Sequence, residues 1–267
     1  MEEKVKNIRL NRNVFTKCFV SIILLGGIFL PELSAQSLAD GLKGYWRFES
    51  PSWSGAENEA VDSSSCGNHG TPNNFGQYNT VTGKIGQAAS FDGQSRFIKI
   101  NNPKNDLDIT GDVTLTAWVY LNAKPAGAMI PLISGRGAET VEPYELAIMD
   151  DSIRVTFALT GGTYAACWAP VTIPTGQWFY VAMTKNGRNV LLYMNGSQIA
   201  PYNTPLSTAT TVASGNGKMI GGGFYGAPIY LNGMIDEVAI WSRALSAAEI
   251  TQLYNEGKGM VITVGSK

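Results

Sequence analysis

Residues 232–257, NGMIDEVAIWSRALSAAEITQLYNEG, contain the stretch of sequence that decides the fold. The pattern predicts a turn at 232–233, then a buried strand, then one short helix. Ser246 fits the N-cap of that helix, Glu249 completes a capping box, and Gly257 fits its C-terminal stop. Because the chain upstream has the pattern of strands, we predict an all-β domain closed by a single short helix.

Alternating side chains dominate the upstream sequence. In residues 112–120, DVTLTAWVY, the period of two and the β-branched and aromatic residues indicate a strand. Both of its faces are apolar, which favours a central position in a sandwich of two sheets. Residues 177–185 and 189–195 repeat the pattern, and a tight hairpin turn is predicted at 186–187 between them, with a similar one at 92–93. Further turns are predicted at 150–151 and 195–196.

The first 35 residues have the layout of a secretory signal peptide. A basic start precedes an apolar run at 19–30, and Pro31 and a small-residue site ending at Ala35 follow it. The alternative is a membrane anchor, but the run is shorter than the roughly 20 residues that a spanning helix needs. We therefore predict export to the periplasm, the cell surface or the medium, with no membrane span in the mature chain. A short segment at 36–41, one domain at 42–258 and a tail at 259–267 would remain.

The composition of the mature chain excludes some partners. It has 15 Lys and Arg against 18 Asp and Glu, and no basic patch stands out, so nucleic acid is a poor candidate. Two cysteines survive cleavage, Cys66 and Cys167. An even count in an exported chain permits one disulfide, and two separate thiols are the open alternative.

Seven motifs carry a resemblance to a known family. In chain order they are GYWRFE (44–49), DSSSCGNHGT (62–71), GKIGQAASFDG (83–93), LTAWV (115–119), QWFYVA (177–182), LYMNG (192–196) and GMIDEVAIW with RALSAAE (233–249). In this order they resemble the laminin-G-like domains of the concanavalin A-like lectin/glucanase superfamily, in their bacterial form. The resemblance implies an antiparallel jelly-roll sandwich. It says less about function, because the fold hosts sugar-binding, protein-binding and hydrolytic members.

Hydrolysis on this fold needs two carboxylates about 5 Å apart on one face of a strand. The glutamates at 139, 142 and 145 are interrupted by a proline. Asp236 and Glu237 are adjacent, so on a regular strand they face opposite sides. The single histidine, His69, lies in a glycine-rich turn. We therefore predict no catalytic residues, and a glycoside hydrolase is the least favoured class.

The resemblance also implies one structural calcium ion. Asp236 lies in an apolar strand, where a carboxylate without a partner is costly to bury. Ca²⁺ takes oxygen ligands and would be such a partner. In proteins that resemble this one, such an ion lies between the first strand, the following turn and the last strand. That implies Asp236, Asp62 and Glu49 as ligands, with Asn68 as a weaker candidate. The alternative is that Asp236 accepts backbone amides or pairs with an Arg, and that Asp62 makes an Asx-turn.

Aromatic residues divide into two groups. Four tryptophans lie inside strand motifs and are assigned to the core: Trp46, Trp118, Trp178 and Trp241. Tyr144, Trp168 and Tyr225 lie in or beside loops, where an apolar ring and a few polar groups such as Arg136 suit a ligand. We favour an exported, non-catalytic module that recognises a glycan through these four residues. The alternative is a protein-interaction or adhesion domain at the cell surface.

Overall fold

Strands make up nearly all of the regular structure. The computed structural model describes residues 37–50, 53–76, 80–124, 127–135, 143–159, 162–202, 204–207, 211–212, 218–224 and 227–265. The predicted signal peptide at 1–35 lies outside these residues.

The strands are β1 Leu42–Trp46, β2 Gly70–Asn73, β3 Thr80–Thr82, β4 Gln87–Asp92, β5 Phe97–Ile100, β6 Val113–Leu121, β7 Met129–Ser134, β8 Glu145–Met149, β9 Ser152–Leu159, β10 Thr163–Pro170, β11 Trp178–Asn186, β12 Asn189–Met194, β13 Ser197–Ile199, β14 Lys218–Ile220, β15 Gly222–Phe224, β16 Pro228–Tyr230 and β17 Asn232–Trp241. Helix α1 spans Ala247–Tyr254, and a 3₁₀ turn at Asn255–Gly257 follows it. Within the described residues, no helix has the length and hydropathy that crossing a bilayer requires.

Two antiparallel sheets form the sandwich. One has the order β13-β12-β11-β6-β17-β4-β3, with β1 also pairing with β17, and the other has the order β10-β9-β8-β7-β14-β5-β2. They are called the first and the second sheet below. The prediction of a two-sheet antiparallel jelly roll with one C-terminal helix is confirmed, and β6 lies between β11 and β17, at the centre of the first sheet as predicted.

Two hydrophobic clusters stabilise the fold. The larger one lies between the sheets and includes Leu115, Val155 and Phe179. The second lies on the outward face of the first sheet, where Trp118 and Trp241 are buried under α1 and the C-terminal segment. Both faces of β6 are therefore buried, which explains its apolar pattern on both sides.

The cap predicted for α1 is confirmed. Ser246 Oγ accepts the Glu249 N–H at 3.3 Å, and Glu249 Oε2 accepts the Ser246 N–H at 2.8 Å. The predicted stop of the helix is wrong by two residues. The C-cap is Asn255, with φ 47° and ψ 56°, and Gly257 instead ends the 3₁₀ turn. Asparagine tolerates the left-handed conformation, so it supplies the stop that glycine was expected to give.

Residues 232–233 do not form a turn. They open β17, where Gly233 pairs with Phe91 on one side and with Leu121 on the other. A Cβ on Gly233 would lie 2.1 Å from the Tyr120 carbonyl oxygen. Gly233 is therefore needed because two strands approach each other closely here. In the sequence, a glycine required for this reason cannot be distinguished from a glycine required by a turn.

Residues 92–93 do not form a hairpin either, because β4 belongs to the first sheet and β5 to the second. The connection crosses between the sheets and is held by Asp92. Its Oδ1 accepts the N–H groups of Gln94 at 2.9 Å, Ser95 at 2.9 Å and Arg96 at 3.1 Å. Burial alone would raise the pKa of Asp92, but these bonds outweigh it and lower the pKa to about 2.

Three predicted hairpin turns are present. Asn195 and Gly196 both have positive φ, 50° and 75°, as a type I′ turn between β12 and β13 requires. Asp150 has φ 49° in the turn between β8 and β9. In the third hairpin the register pairs Asn186 with Asn189, so its central residues are 187 and 188, one position later than predicted.

The permitted disulfide is not formed. Cys167 faces the core from β10, at the edge of the second sheet, and burial raises the pKa of its thiol to about 11. Cys66 lies half-buried in the turn after β1, where its Sγ contacts the Leu42 carbonyl oxygen at 3.7 Å. One thiol points between the sheets and the other packs against the start of β1, so the expectation of a bridge is corrected to two thiols.

Candidate ligand-binding groove

The outward face of the second sheet carries the candidate site. Alternation along β9 and β10 sends Val155 and Cys167 into the core, so their neighbours Arg154 and Trp168 point the opposite way. Trp168 and Arg154 are direct cross-strand partners. The fold therefore places an aromatic ring and a guanidinium group side by side on the surface.

A second aromatic residue joins Trp168. The Tyr202 N–H donates to the Trp168 carbonyl oxygen at 2.7 Å, which adds the segment around 202 to the edge of β10. The two ring centroids are 6.0 Å apart, with an angle of 40° between the planes. Trp168 is half-buried and Tyr202 is 58% exposed. Two neighbouring rings thus form a platform open to solvent.

A groove of about 400 Å³ runs from this platform to the turn between β8 and β9, and it is lined by Met149, Asp150, Asp151, Ser152, Arg154, Trp168 and Pro170. Arg154 contacts Met149 Sδ at 3.7 Å through Nη1, and among the described residues its buried Nε has no hydrogen-bond acceptor. This buried donor beside an aromatic platform is the most unusual polar group of the groove, because buried polar atoms are rarely left unpaired.

Two carboxylates close the far end of the groove. Asp151 Oδ1 accepts the Lys124 Nζ at 2.6 Å and the Ile173 N–H at 2.9 Å, and these bonds hold the pKa of Asp151 below its ordinary value. Asp150 Oδ1 accepts the Gly127 N–H at 2.9 Å. The turn is therefore fixed by contacts to the segment that follows β6.

Two of the four predicted contact residues, Trp168 and Tyr144, belong to the described part of the chain, and of these two Trp168 lines the groove. Tyr144 is 1% exposed and its hydroxyl donates to the Leu107 carbonyl oxygen at 2.6 Å. Its ring belongs to the core between the sheets, which corrects its predicted role as a surface contact. Arg136 and Tyr225 lie outside the described residues.

Sequence reasoning missed Arg154, which lines the groove, and Tyr202, which lies beside Trp168. Arg154 carries a usable signal, since it is the charged residue at an outward position of the alternating strand SIRVTFAL. Tyr202 lies between prolines in a stretch with no periodicity, so nothing in the sequence connects it with Trp168. Their contact arises from the pairing of that stretch with β10.

The turn after β1 explains the burial of Asp62. Its Oδ1 accepts the N–H groups of Tyr45 at 2.9 Å and Ser64 at 2.8 Å, and its Oδ2 accepts the Asn68 N–H at 2.7 Å. Asp62 bridges to Trp46 across the edge of β1 that faces away from β17. This geometry matches the alternative in which Asp62 makes an Asx-turn. Asn68 lies in the same turn, and its Nδ2 donates to the Lys43 carbonyl oxygen.

The other two predicted calcium ligands lie against one turn. Asp236 Oδ2 accepts the Ile85 N–H at 2.9 Å and lies 2.6 Å from where a Cβ on Gly83 would be. Glu49 Oε2 lies 2.2 Å from where a Cβ on Gly86 would be. Among the described residues, no cluster of three or more His, Cys, Asp or Glu side chains has the arrangement of a metal site. Of the four predicted ligands, Glu49 and Asp236 are therefore the two that lie against the turn at 83–86.

Asp236 and Glu237 are both buried. A β-bulge follows Asp236, with Glu237 at φ 49°, so the alternation expected to set them on opposite faces is interrupted. Burial raises the pKa of Asp236 to about 8 and that of Glu237 to about 7. Glu237 accepts the Tyr45 hydroxyl and pairs with Arg47 at 3.3 Å. Asp236 is fully buried and Glu237 is 5% exposed, so neither carboxylate faces a groove where a substrate could reach it.

Comparison with known proteins identifies the family to which this fold belongs. The family model described as the concanavalin A-like lectin/glucanases superfamily matches residues 92–251. A search of curated proteins returned no match.

Among solved structures, similar ones include the binding domain of Paraclostridial Mosquitocidal Protein 1, with a TM-score of 0.64, 15% identity and coverage of 83% of this chain and 53% of that chain. Another is the binding domain of botulinum neurotoxin DC in complex with SialylT, with a TM-score of 0.58, 14% identity and coverage of 82% and 52%. A third is the same toxin domain in complex with rat synaptotagmin II, with a TM-score of 0.59, 14% identity and coverage of 82% and 52%. The chain spans about half the length of these structures, and identity this low shows the fold alone.

Proposed function

The chain belongs to the concanavalin A-like lectin/glucanases superfamily, and on that premise we propose that it is a non-catalytic module that binds a glycan in the groove lined by Trp168 and Arg154, beside Tyr202. One observation carries the proposal, which is the pair of solvent-facing aromatic rings beside a guanidinium Nε that lacks an acceptor among the described residues. Ligand sites commonly combine an apolar platform with a few convergent polar groups.

Each part of the groove has a role in this proposal. The apolar face of a sugar ring packs on the indole of Trp168, and Tyr202 extends that surface. Arg154 lines the groove, and its guanidinium group donates to a ring or hydroxyl oxygen of the sugar. The carboxylates of Asp150 and Asp151 accept from hydroxyl groups at the other end. Binding in this way needs no proton transfer, and the buried acids of β17 take no part in it.

The solved complexes named above motivate two ligand classes, a glycan for one and a protein for the other. We favour a glycan because the groove has a volume of only about 400 Å³ and carries two carboxylates at one end, whereas a protein interface needs a surface of about 800 Å² on each partner. A protein partner is the alternative outcome of the experiment.

A glycan array tests the proposal. The parent protein is expected to be retained on at least one glycan, and Trp168→Ala is expected to lose about tenfold or more of that retention. Tyr164→Ala is the matched control, because Tyr164 lies on the same strand, is 45% exposed and does not line the groove. A blank array together with recovery of a protein partner in pull-downs would reject the glycan and favour an adhesion domain.

We also propose that Glu49 and Asp236, with carbonyls of the turn at 83–86, hold one structural Ca²⁺. The ion would neutralise the buried carboxylate of Asp236 and fix the turn against β17, and it would supply no chemistry to a ligand. Added Ca²⁺ is expected to raise the melting temperature of the parent and not that of Asp236→Asn. An equal response of both proteins would contradict the site.

Export is a further part of the proposal, motivated by the basic and apolar pattern of residues 1–35. Cleavage after Ala35 predicts that the protein recovered from outside the cytoplasm begins at Gln36. N-terminal sequencing checks this, and an intact leader on the recovered protein would contradict it.

A further inference from the structure

A second groove lies next to the first. It has a volume of about 260 Å³ and is formed where the loop after β4, the end of β6 and the start of β17 meet. Tyr230 and Ile130 contribute apolar surface, and Gln94 and Asn232 contribute polar side chains. Tyr230 is held by stacking on Phe97, with ring centroids 6.0 Å apart. This lining has the same combination as the first groove, an aromatic ring with polar groups at its rim.

Contacts join the two grooves. Lys124 lines the second groove and pairs at 2.6 Å with Asp151, which lines the first. Ile130 of the second groove pairs across β7 and β8 with Ile148, the residue before Met149 of the first. The ion pair and the strand pairing therefore place the two grooves next to each other, on either side of the turn at 150–151.

Charges along the second groove are already compensated. The Lys124 ammonium is paired with Asp151, and Asp92 is satisfied by three backbone N–H groups and lies 3.6 Å from Arg96 Nε. Because neither charge needs a partner from the ligand, the surface suits hydroxyl groups better than an ionic group. This favours a neutral ligand, whose affinity should not depend on salt.

We propose that the two grooves form one extended site for a linear, neutral oligosaccharide, with one part of the chain on Trp168 and another on Tyr230. This inference rests on the proposed function, since it assigns the ligand class of the same site. Two linked contacts reinforce each other without new chemistry, because the second contact becomes intramolecular once the first has formed. Longer chains should therefore bind more tightly than short ones.

The test uses neutral gluco-, xylo-, manno- and galacto-oligosaccharides, each as a disaccharide and a hexasaccharide, titrated calorimetrically into the parent protein and three variants. We expect the hexasaccharide of one series to bind the parent about tenfold or more tighter than its disaccharide. Tyr230→Ala should remove most of that advantage and leave disaccharide affinity within about twofold, because the disaccharide occupies the Trp168 half. Gln94→Ala, at an exposed side chain, should give a smaller loss of the same kind and serves if Tyr230→Ala does not fold.

The outcomes separate the two proposals. If Trp168→Ala weakens both lengths while Tyr230→Ala and Gln94→Ala change neither, the extended site is wrong and the first groove stands. If Trp168→Ala has no effect on a series that binds, the proposed function itself fails. If no neutral series binds, or affinity falls about tenfold when salt is raised, the ligand class is wrong.

Discussion

The outward faces of the two sheets carry similar residues in opposite environments. On the first sheet, Trp118 is 2% exposed and Trp241 is fully buried, because α1 and the C-terminal segment cover that face. On the second sheet, Trp168 is half-buried and Tyr202 is 58% exposed. An aromatic residue at an outward strand position is therefore core or surface according to what the chain folds over it. Aromatic content by itself does not locate a ligand site on a sandwich.

The C-terminal segment contributes directly to this difference. Ile262 is buried against the first sheet and its N–H donates to the Tyr45 hydroxyl at 3.3 Å. Tyr254 of α1 stacks on Trp118 with ring centroids 5.6 Å apart. The face that could have bound a ligand is instead occupied by the chain itself, which leaves the second sheet to present its rings to solvent.

The largest expected effect is on the covered face. Trp241→Ala should reduce the free energy of unfolding by about 3–5 kcal/mol, because it leaves a cavity. It also removes the bond from Nε1 to the Leu38 carbonyl oxygen at 2.7 Å. Urea denaturation monitored by circular dichroism measures this. A loss below about 1 kcal/mol would mean that this face is not a core.

The connection between the sheets comes next. At pH 7, Asp92→Asn should cost about 2 kcal/mol, the scale of hydrogen bonds to a charged group. The pKa of Asp92 is about 2 in the folded protein and near 3.9 when unfolded, so its stabilisation is full above about pH 4 and is lost as the pH falls through 2. Denaturation curves of parent and variant should therefore converge towards pH 2. A gap that stays constant with pH would contradict the role of the charge.

The cover of the first sheet has its own weak point. Ser246→Ala should cost about 1 kcal/mol, because Ser246 Oγ caps α1. Glycan binding should be unchanged, since α1 lies over the other sheet from the groove. Thermal unfolding and titration of the same samples check both statements. Weaker binding without further loss of stability would show that the two faces are coupled.

The smallest effect on stability is expected on the open face. Tyr164→Ala removes a 45% exposed ring from β10 and should change the free energy of unfolding by less than about 1 kcal/mol. Trp241→Ala is measured in the same denaturant series. The difference between the two losses of unfolding free energy shows how much more the covered face contributes to stability than the open face. Similar losses in both variants would remove the distinction.

Local signals predicted most of the fold, and long-range pairing accounts for the two turns, at 92–93 and 232–233, that were assigned as local features and are not. The capping box of Ser246 and Glu249 and the turn at 195–196 depend on neighbours in the sequence, and both are as predicted. Gly233 was wrongly assigned to a turn because the group that requires a glycine there, the carbonyl of Tyr120, is more than a hundred residues away in the chain.

The site was predicted less well for the same physical reason. Trp168 was assigned to the surface and lines a groove there, but the burial of Tyr144 depends on Leu107 and the pair of rings depends on Tyr202. None of these contacts leaves a pattern within one element. Arg154 could have been found, because the alternation of β9 alone sends it outward.

A titration of two tryptophan variants tests the central claim most directly. Trp168 and Trp178 are both half-buried on outward faces, the former on the second sheet and the latter on the first, where it packs beside the covered cluster. The ligand is the glycan on which the parent is retained best on the array. Trp168→Ala should raise the Kd for it about tenfold or more, a loss of about 1.4 kcal/mol of binding free energy, while Trp178→Ala leaves the Kd within about twofold of that of the parent. Equal affinities in parent and Trp168→Ala, or a loss confined to Trp178→Ala, would contradict a ligand site on the second sheet.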